Sequence, residues 1–420
     1  MVSAVRVALG RILPRRASAL VGEALDDTRI VLVTGARQSG KSTLVKQLAD
    51  QRVMAWRSLD APATRSAALD DPAGFVRDAP SMVIDEVPRS PDLFLAMKEV
   101  VDADPRPGRF LLTGSARVFG LRGVPDLLPG RVETIELWPL SQGEIDGRPD
   151  GFVQAAFKLG ADLSWESAET RGGYVERIIR GGFPEAVARS GRRRKRFLQG
   201  YVADLINRDV MQLSEIERGH EMRQLLRVLA ARSGSTVVPN ALAGQLGIAG
   251  TTVRRHIGLL EEVFLVKRIP AWTRGFTGRA THAAKLPLVD SGVAASVLDQ
   301  DEAALRRVGG PLGGILEGFA AMEVARQLSF SDVPAELYHY RTRDQVEVDL
   351  VLEHARGDLV GIEIKASETV RSEDFRGLRH LAAKAGDAFR AGFVLYLGRQ
   401  PLRFGDRMRA LPLSALWEVG

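Results

Sequence analysis

Apolar positions follow two rhythms in the first third of the chain. Ile30, Val31, Leu32 and Val33 form an unbroken run, and Leu44, Val45 and Leu48 then recur at helical spacing. The same exchange repeats downstream. Short apolar runs at 53–59, 82–86, 110–115 and 132–137 read as strands, and 91–101 reads as a helix. A mixed Ala, Asp and Pro stretch over 61–80 reads as a helix–loop connection, and a loop and helix lead up to residue 128. Strands alternating with helices predict a five-stranded parallel sheet that binds its ligand outside the carboxyl ends of the strands.

Beyond residue 145 the pattern changes twice. Residues 145–170 are poorly patterned and read as a loop or insertion, and 192–213 as a helix opened by Arg192, Arg193, Arg194, Lys195 and Arg196. From Met222, three helical faces follow: Leu225, Leu226 and Leu229; then 241–246, with Asn240 as its cap; then Val253, Ile257 and Leu260 in a helix starting at Thr251. A Gly- and Arg-rich segment over 274–279 follows, the order of a helix-turn-helix with a wing. In such a module Thr252, Arg254, Arg255 and His256 face nucleic acid, and Arg274 and Arg279 tip the wing. The tail reads as a helix (315–327), three strands (336–341, 346–352, 359–365), a helix (374–384) and a strand (392–397). Period-2 spacing puts Glu347 and Asp349 on one strand face, and Glu363 and Lys365 together on the next strand.

Composition narrows the class. The chain has 420 residues, no cysteine and a net charge of +6, so disulfides and thiolate metal sites are excluded and nucleic acid is a mild prompt. No apolar run is long enough to span a bilayer. Residues 1–22 lack acids and carry Arg6, Arg11, Arg15 and Arg16. They are expected to form a helix packed on the first sheet rather than an organelle leader, in a cytoplasmic protein. Nine of the 58 basic residues are lysines, which leaves 49 arginines. A lysine in so arginine-biased a chain marks a place that needs a point charge rather than a planar fork.

Lys41 is one such place. Gly35-Ala36-Arg37-Gln38-Ser39-Gly40-Lys41-Ser42-Thr43 has the spacing of a phosphate-binding loop between a strand and a helix. Its glycines let successive N–H groups face phosphate oxygens at a helix N-terminus. Lys41 is expected to reach the β- and γ-phosphates of ATP, and Ser42 to hold Mg²⁺ with Asp85 at the end of a downstream strand. Glu86 is the expected general base for the attacking water. Ser115 or Thr113 is expected at the γ-phosphate or that water. Arg131, before the last strand, fits an arginine finger reaching a neighbouring copy's nucleotide, with Arg117 and Arg122 as rivals.

The segments GARQSGKST, VIDEVPRSP, LLTGSA and LPGRVETIELWPLSQGE resemble the AAA-type ATPase module of a widespread prokaryotic family. Pro88 departs from the glutamine expected after the acidic pair. The resemblance implies a helical lid marked by Gly181-Gly182-Phe183-Pro184-Glu185, and a C-terminal domain of unknown function with a nuclease-like core. Asp349 with Glu363-x-Lys365 resembles the PD-(D/E)xK nuclease constellation. There the carboxylates of Asp349 and Glu363 hold Mg²⁺, Lys365 stabilises charge as the phosphodiester breaks, and Glu317 reaches in from its helix. The expected architecture is therefore α/β: an AAA-type P-loop domain (1–145), a helical lid or linker (146–220), a winged helix-turn-helix (221–290) and a restriction-endonuclease-like domain (291–420). The expected partners are DNA, with RNA as the alternative, and further copies of the chain through the ATPase domain; no membrane is expected. Two functions follow: an ATPase controlling a Mg²⁺-dependent nuclease, or an ATP-driven switch or assembly factor whose last domain only binds.

Overall fold

The computed structural model describes residues 4–6, 12–115, 128–210, 219–275, 279, 282–307 and 310–420. Arg117, Arg122 and wing residues 276–278 lie outside them. The chain divides into two compact units, residues 1–140 with 183–188 and 262–264, and the remainder. Apart from those two short inclusions, the expected lid, winged helix and C-terminal domain all fall in the second unit.

The first unit is built on five parallel strands: β1 (Ile30–Thr34), β2 (Ala55–Ser58), β3 (Met82–Asp85), β4 (Phe110–Gly114) and β5 (Val132–Glu136). Their order across the sheet is β2-β3-β4-β1-β5. Alternation along the strands builds two cores. Ile30, Leu32, Met82, Ile84, Phe110 and Leu112 pack on one side, against the helix Leu93–Ala103. Val31, Val33, Val83, Leu111 and Ile135 pack on the other, against the helices Ala17–Asp27 and Lys41–Arg52. The connection over 61–80 is two helices, Pro62–Asp70 and Pro72–Arg77, each with proline in its first turn.

In the second unit, residues 145–170 prove more ordered than their patterning suggests. A helix, Phe152–Leu159, buries Phe152, Val153, Ala155 and Ala156. The basic run opens the helix Gly191–Asp204, where Arg192, Arg193 and Arg196 are exposed and Arg194 is buried. Helices Gly219–Ala231, Pro239–Leu246 and Gly250–Glu262 follow, with a short antiparallel pairing of Thr236–Val237 on Ala284–Lys285. Three expectations are corrected here. Asn240 lies inside the second helix, which starts at Pro239. His256 points inward and is buried, because it shares a face with Val253, Ile257 and Leu260. Arg279 does not tip a wing: its guanidinium pairs with Glu353 at 2.6 and 2.9 Å and bonds Tyr338 Oη. Arg274 donates to the carbonyl of Lys384.

The tail forms a six-stranded mixed sheet: β6 (Ala335–Arg341), β7 (Glu347–His354), β8 (Leu359–Lys365), β9 (Phe389–Tyr396), β10 (Leu402–Arg403) and β11 (Met408–Pro412). The order is β6-β7-β8-β9-β11-β10. β6–β7 and β7–β8 are antiparallel, and β8 runs parallel to β9. The helices Leu312–Leu328 and Arg376–Ala385 pack on it. The order α-β-β-β-α-β stands as expected, extended by β10 and β11.

Candidate nucleotide site and a lysine-filled acidic cluster

The turn from β1 into the helix Lys41–Arg52 is shaped by its backbone. Gly35 and Gly40 have φ of +150° and +100°, and Gln38 is also left-handed. A Cβ on Gly35 would lie 2.2 Å from the carbonyl oxygen of Leu137, so only glycine fits there. Buried Arg15 braces the turn by donating to the carbonyls of Ser39 and Trp138, both at 2.7 Å. Lys41 Nζ donates to the carbonyls of Gly35 and Ala36, each at 2.9 Å. Burial pushes its ammonium down to about 8, opposed by the Glu86 and Asp85 carboxylates. The first N–H groups of the helix open on a cavity of about 400 Å³ lined by Arg37, Gln38, Gly40, Lys41, Ser42 and Thr43, with Glu86 across from them.

The acids are fixed by hydroxyls. Asp85 ends β3 and accepts from Ser42 Oγ at 2.8 Å, Thr113 Oγ1 at 2.7 Å and Ser58 Oγ at 3.3 Å. Glu86 holds a left-handed conformation, φ 58° and ψ 48°, which side chains other than glycine seldom adopt. Two bonds keep it there: its N–H donates to Thr113 Oγ1 at 2.9 Å, and its carboxylate accepts from Ser115 Oγ at 2.7 Å. Thr113 therefore ties the two acids together. Ser42 Oγ beside Asp85, both hard oxygen donors at the phosphate end of the cavity, suits Mg²⁺. Sequence reasoning missed Arg15, Ser58 and the Asp60–Arg89 ion pair (2.7 Å) at the cavity wall. Each is distant in sequence from the motif and belongs to no spacing rule. Arg131 lies at the amino end of β5 and forms a fork on Asp102, at 2.5 and 3.0 Å.

In the second unit the sheet brings Asp349 (β7) and Glu363 (β8) close, and Lys365 Nζ donates to Glu363 Oε1 at 2.8 Å. Glu317 enters from the helix Leu312–Leu328. A fifth residue is also present: Lys285. Its ammonium donates to Glu317 Oε1 and lies 3.2 Å from Asp349 Oδ1. Asp349 Oδ2 accepts from the Ile364 N–H at 2.9 Å. Burial alone would lower the Lys285 ammonium, but Asp349 and Glu317 outweigh it and hold it at about 12. Burial, then the Asp349 charge, pushes Glu317 up to about 9 and Glu363 to about 7. A divalent cation does not fit this donor set. The Lys285 ammonium already lies against Asp349 Oδ1 and Glu317, where a second cation would be repelled, while Asp349 Oδ2 accepts from the Ile364 N–H, Glu363 Oε1 accepts from Lys365, and Glu363 Oε2 is buried without a partner. Among the described residues, no group of three acid or histidine side chains is arranged to hold a metal. The signal that could have found Lys285 was its type, since it is one of only nine lysines.

Thr252 is half-buried, and Arg254 and Arg255 are exposed on the outer face of the helix Gly250–Glu262. Arg254 bonds Asn240 Oδ1 at 3.1 Å.

Residues 27–146 match a family described as an AAA domain. Residues 171–304 match a domain of unknown function (DUF8612), and residues 312–416 a second domain of unknown function (DUF4143). The chain is similar to uncharacterized proteins of Mycobacterium tuberculosis and Mycobacterium bovis. Each is 28% identical over 407 residues, covering 97% of this chain and 85% of the relative. Among solved structures it is similar to a Walker-type ATPase of Pyrococcus abyssi, with 12% identity over 70% of this chain and 98% of that one, at a TM-score of 0.41. It is also similar to the RuvB Holliday junction branch migration motor of Thermotoga maritima, with 19% identity, coverage of 61% and 90%, and a TM-score of 0.30. Scores this low supply no argument about substrate. Among the described residues, no helix is long and apolar enough to cross a membrane. The phosphate loop with its strand-end acids and the family match over 27–146 agree: the chain carries a P-loop ATPase domain of the AAA type.

Proposed function

We propose that the chain is a Mg²⁺-dependent, ATP-driven switch that engages nucleic acid and assembles with further copies of itself, and that its nuclease-like last domain binds rather than cleaves. The observation that carries the hydrolytic part is the Ser42–Asp85–Thr113–Glu86 chain of hydrogen bonds facing the phosphate loop.

On ATP binding, Lys41 exchanges the Gly35 and Ala36 carbonyls for phosphate oxygens. Ser42 and Asp85 are the residues that would hold Mg²⁺, which neutralises phosphate charge when bound. Glu86, fixed at backbone and side chain, orients the attacking water and receives its proton. Arg131, released from Asp102, is the residue we propose reaches a neighbouring copy's nucleotide. Nucleic-acid contact is assigned to Thr252, Arg254 and Arg255 on one helix of a winged-helix-like module, with the exposed Arg192, Arg193 and Arg196 tracking phosphates. Arg274 and Arg279 are withdrawn from that surface, because both are committed to intramolecular partners. The cleaving alternative, with Asp349, Glu363, Lys365 and Glu317 as its machinery, needs a metal on Asp349 and Glu363, and the Lys285 ammonium already lies against Asp349 and Glu317. That favours binding over cutting.

The test is binding of labelled DNA and RNA to the full chain with ATP, with ADP and without nucleotide, over a range of salt. Binding that weakens linearly in log salt, depends on nucleotide and drops in Arg254→Ala/Arg255→Ala supports the proposal. Salt-insensitive binding, or cleavage that Asp349→Asn abolishes, refutes it.

A further inference from the structure

We infer that Lys285 is an internal cation standing in for a divalent metal in the acidic cluster of the last domain. The ammonium sits between the carboxyl groups of Glu317 on a helix and Asp349 on β7, and its side chain is only 4% exposed. Its delivery is rigid. The Lys285 backbone exchanges both hydrogen bonds with Ile269, at 2.9 and 3.0 Å, and pairs with Thr236 on the other side. Backbone pairing on both sides fixes where its Cα lies, and burial with the two carboxyl partners holds the ammonium in place. An ammonium meets carboxylate oxygens at about 2.7–2.9 Å, whereas Mg²⁺ demands about 2.0–2.1 Å and several ligands at once. The lysine therefore brings Glu317 and Asp349 together without closing a metal polyhedron. It also supplies the neutralising charge permanently, whatever the Mg²⁺ level, and provides no bound water to activate. The cluster thus keeps the Asp349 and Glu363-x-Lys365 order while drawing its balancing charge from a side chain of the chain itself.

This deepens the non-cleaving reading above and can fail separately from it. The experiment titrates Mn²⁺ into the nucleotide-free full chain and follows free Mn²⁺ by electron paramagnetic resonance. Wild type is expected to show no bound ion sensitive to Asp349→Asn. Lys285→Ala is expected to gain one Mn²⁺ per chain and to lose it again in Lys285→Ala/Asp349→Asn. Thermal unfolding provides a second readout: Mn²⁺ should raise the midpoint of Lys285→Ala and leave that of wild type unchanged. One Mn²⁺ in wild type that Asp349→Asn removes would overturn the inference, as would a folded Lys285→Ala that takes up none. If Lys285→Ala fails to fold, the wild-type titration alone decides. A wild type that binds neither Mn²⁺ nor nucleic acid would sink the binding proposal and leave this one standing.

Discussion

Thr113→Val removes one hydroxyl while leaving nearly the same shape at a fully buried position on β4. The lost hydroxyl donates to the Asp85 carboxylate at 2.7 Å and accepts from the Glu86 N–H at 2.9 Å. A hydrogen bond to a charged group contributes about 1.5–3 kcal/mol, and a buried N–H left without an acceptor costs about 1–3 kcal/mol. Together the loss is about 2.5–6 kcal/mol, a large share of the roughly 5–15 kcal/mol that holds a domain folded. At a mid-range urea dependence of about 2 kcal/mol/M, a loss of about 4 kcal/mol should lower the unfolding midpoint of the ATPase domain by about 2 M. Catalysis should suffer separately. Glu86 occupies a left-handed conformation that this bond helps to hold, and misplacing a general base forfeits about 10²–10⁴ in rate. Lys41 and the loop amides are untouched, so affinity for a fluorescent ATP analogue should stay within a few-fold while kcat falls about 10²-fold. Thr113→Ser, which keeps the hydroxyl, should restore both stability and turnover. A Thr113→Val protein with wild-type kcat and an unmoved urea midpoint would refute the reasoning.

Arg131→Ala should lose ATP hydrolysis yet keep ATP binding, and wild-type turnover per chain should rise with protein concentration. Asp102→Ala frees the same arginine without removing it and should leave hydrolysis intact; equal losses in both variants would make the pair merely structural. Lys41→Ala should abolish both ATP binding and hydrolysis, measured by equilibrium binding and phosphate release, and retention of either would overturn the site. Burial pushes His339 down to about 4 from its ordinary 6.5, and its Nε2 bonds the Ala283 carbonyl at 3.0 Å. The folded state therefore refuses a proton that the unfolded chain accepts. The stability at stake is fully present above pH 6.5 and is lost as pH falls toward 4, by about 3 kcal/mol in all. Glu363 and Glu317 act in the opposite direction, since their raised values favour the folded state at low pH. His339→Gln should flatten the fall in urea midpoint between pH 6.5 and 4.5, and an unchanged slope would show that the imidazole carries none of it.

What the sequence determined by itself is everything that lives within a few consecutive residues. The phosphate loop needs its glycines, lysine and serine in one fixed order, because a single turn of backbone must wrap one phosphate group. Strand-end acids and the face shared by Glu363 and Lys365 are equally local, set by a two-residue period and by where an apolar run stops. The strand and helix order of the first sheet, and of the second as far as β9, follows from the same periodicities. Periodicity missed Phe152–Leu159, whose apolar face is short, and pointed His256 outward, although it shares its face with Val253 and Ile257. Only the tertiary structure decided which charges find each other. Arginines are too numerous here for type to identify a partner: Arg279 settles on Glu353, 74 residues away, and Arg15 on the carbonyl of Trp138, 123 away. Lys285 was visible as a scarce lysine, but its place between Glu317 and Asp349 arises where a short strand, a helix and a sheet converge. An ammonium's effect depends on distance through space, which no spacing along the chain encodes.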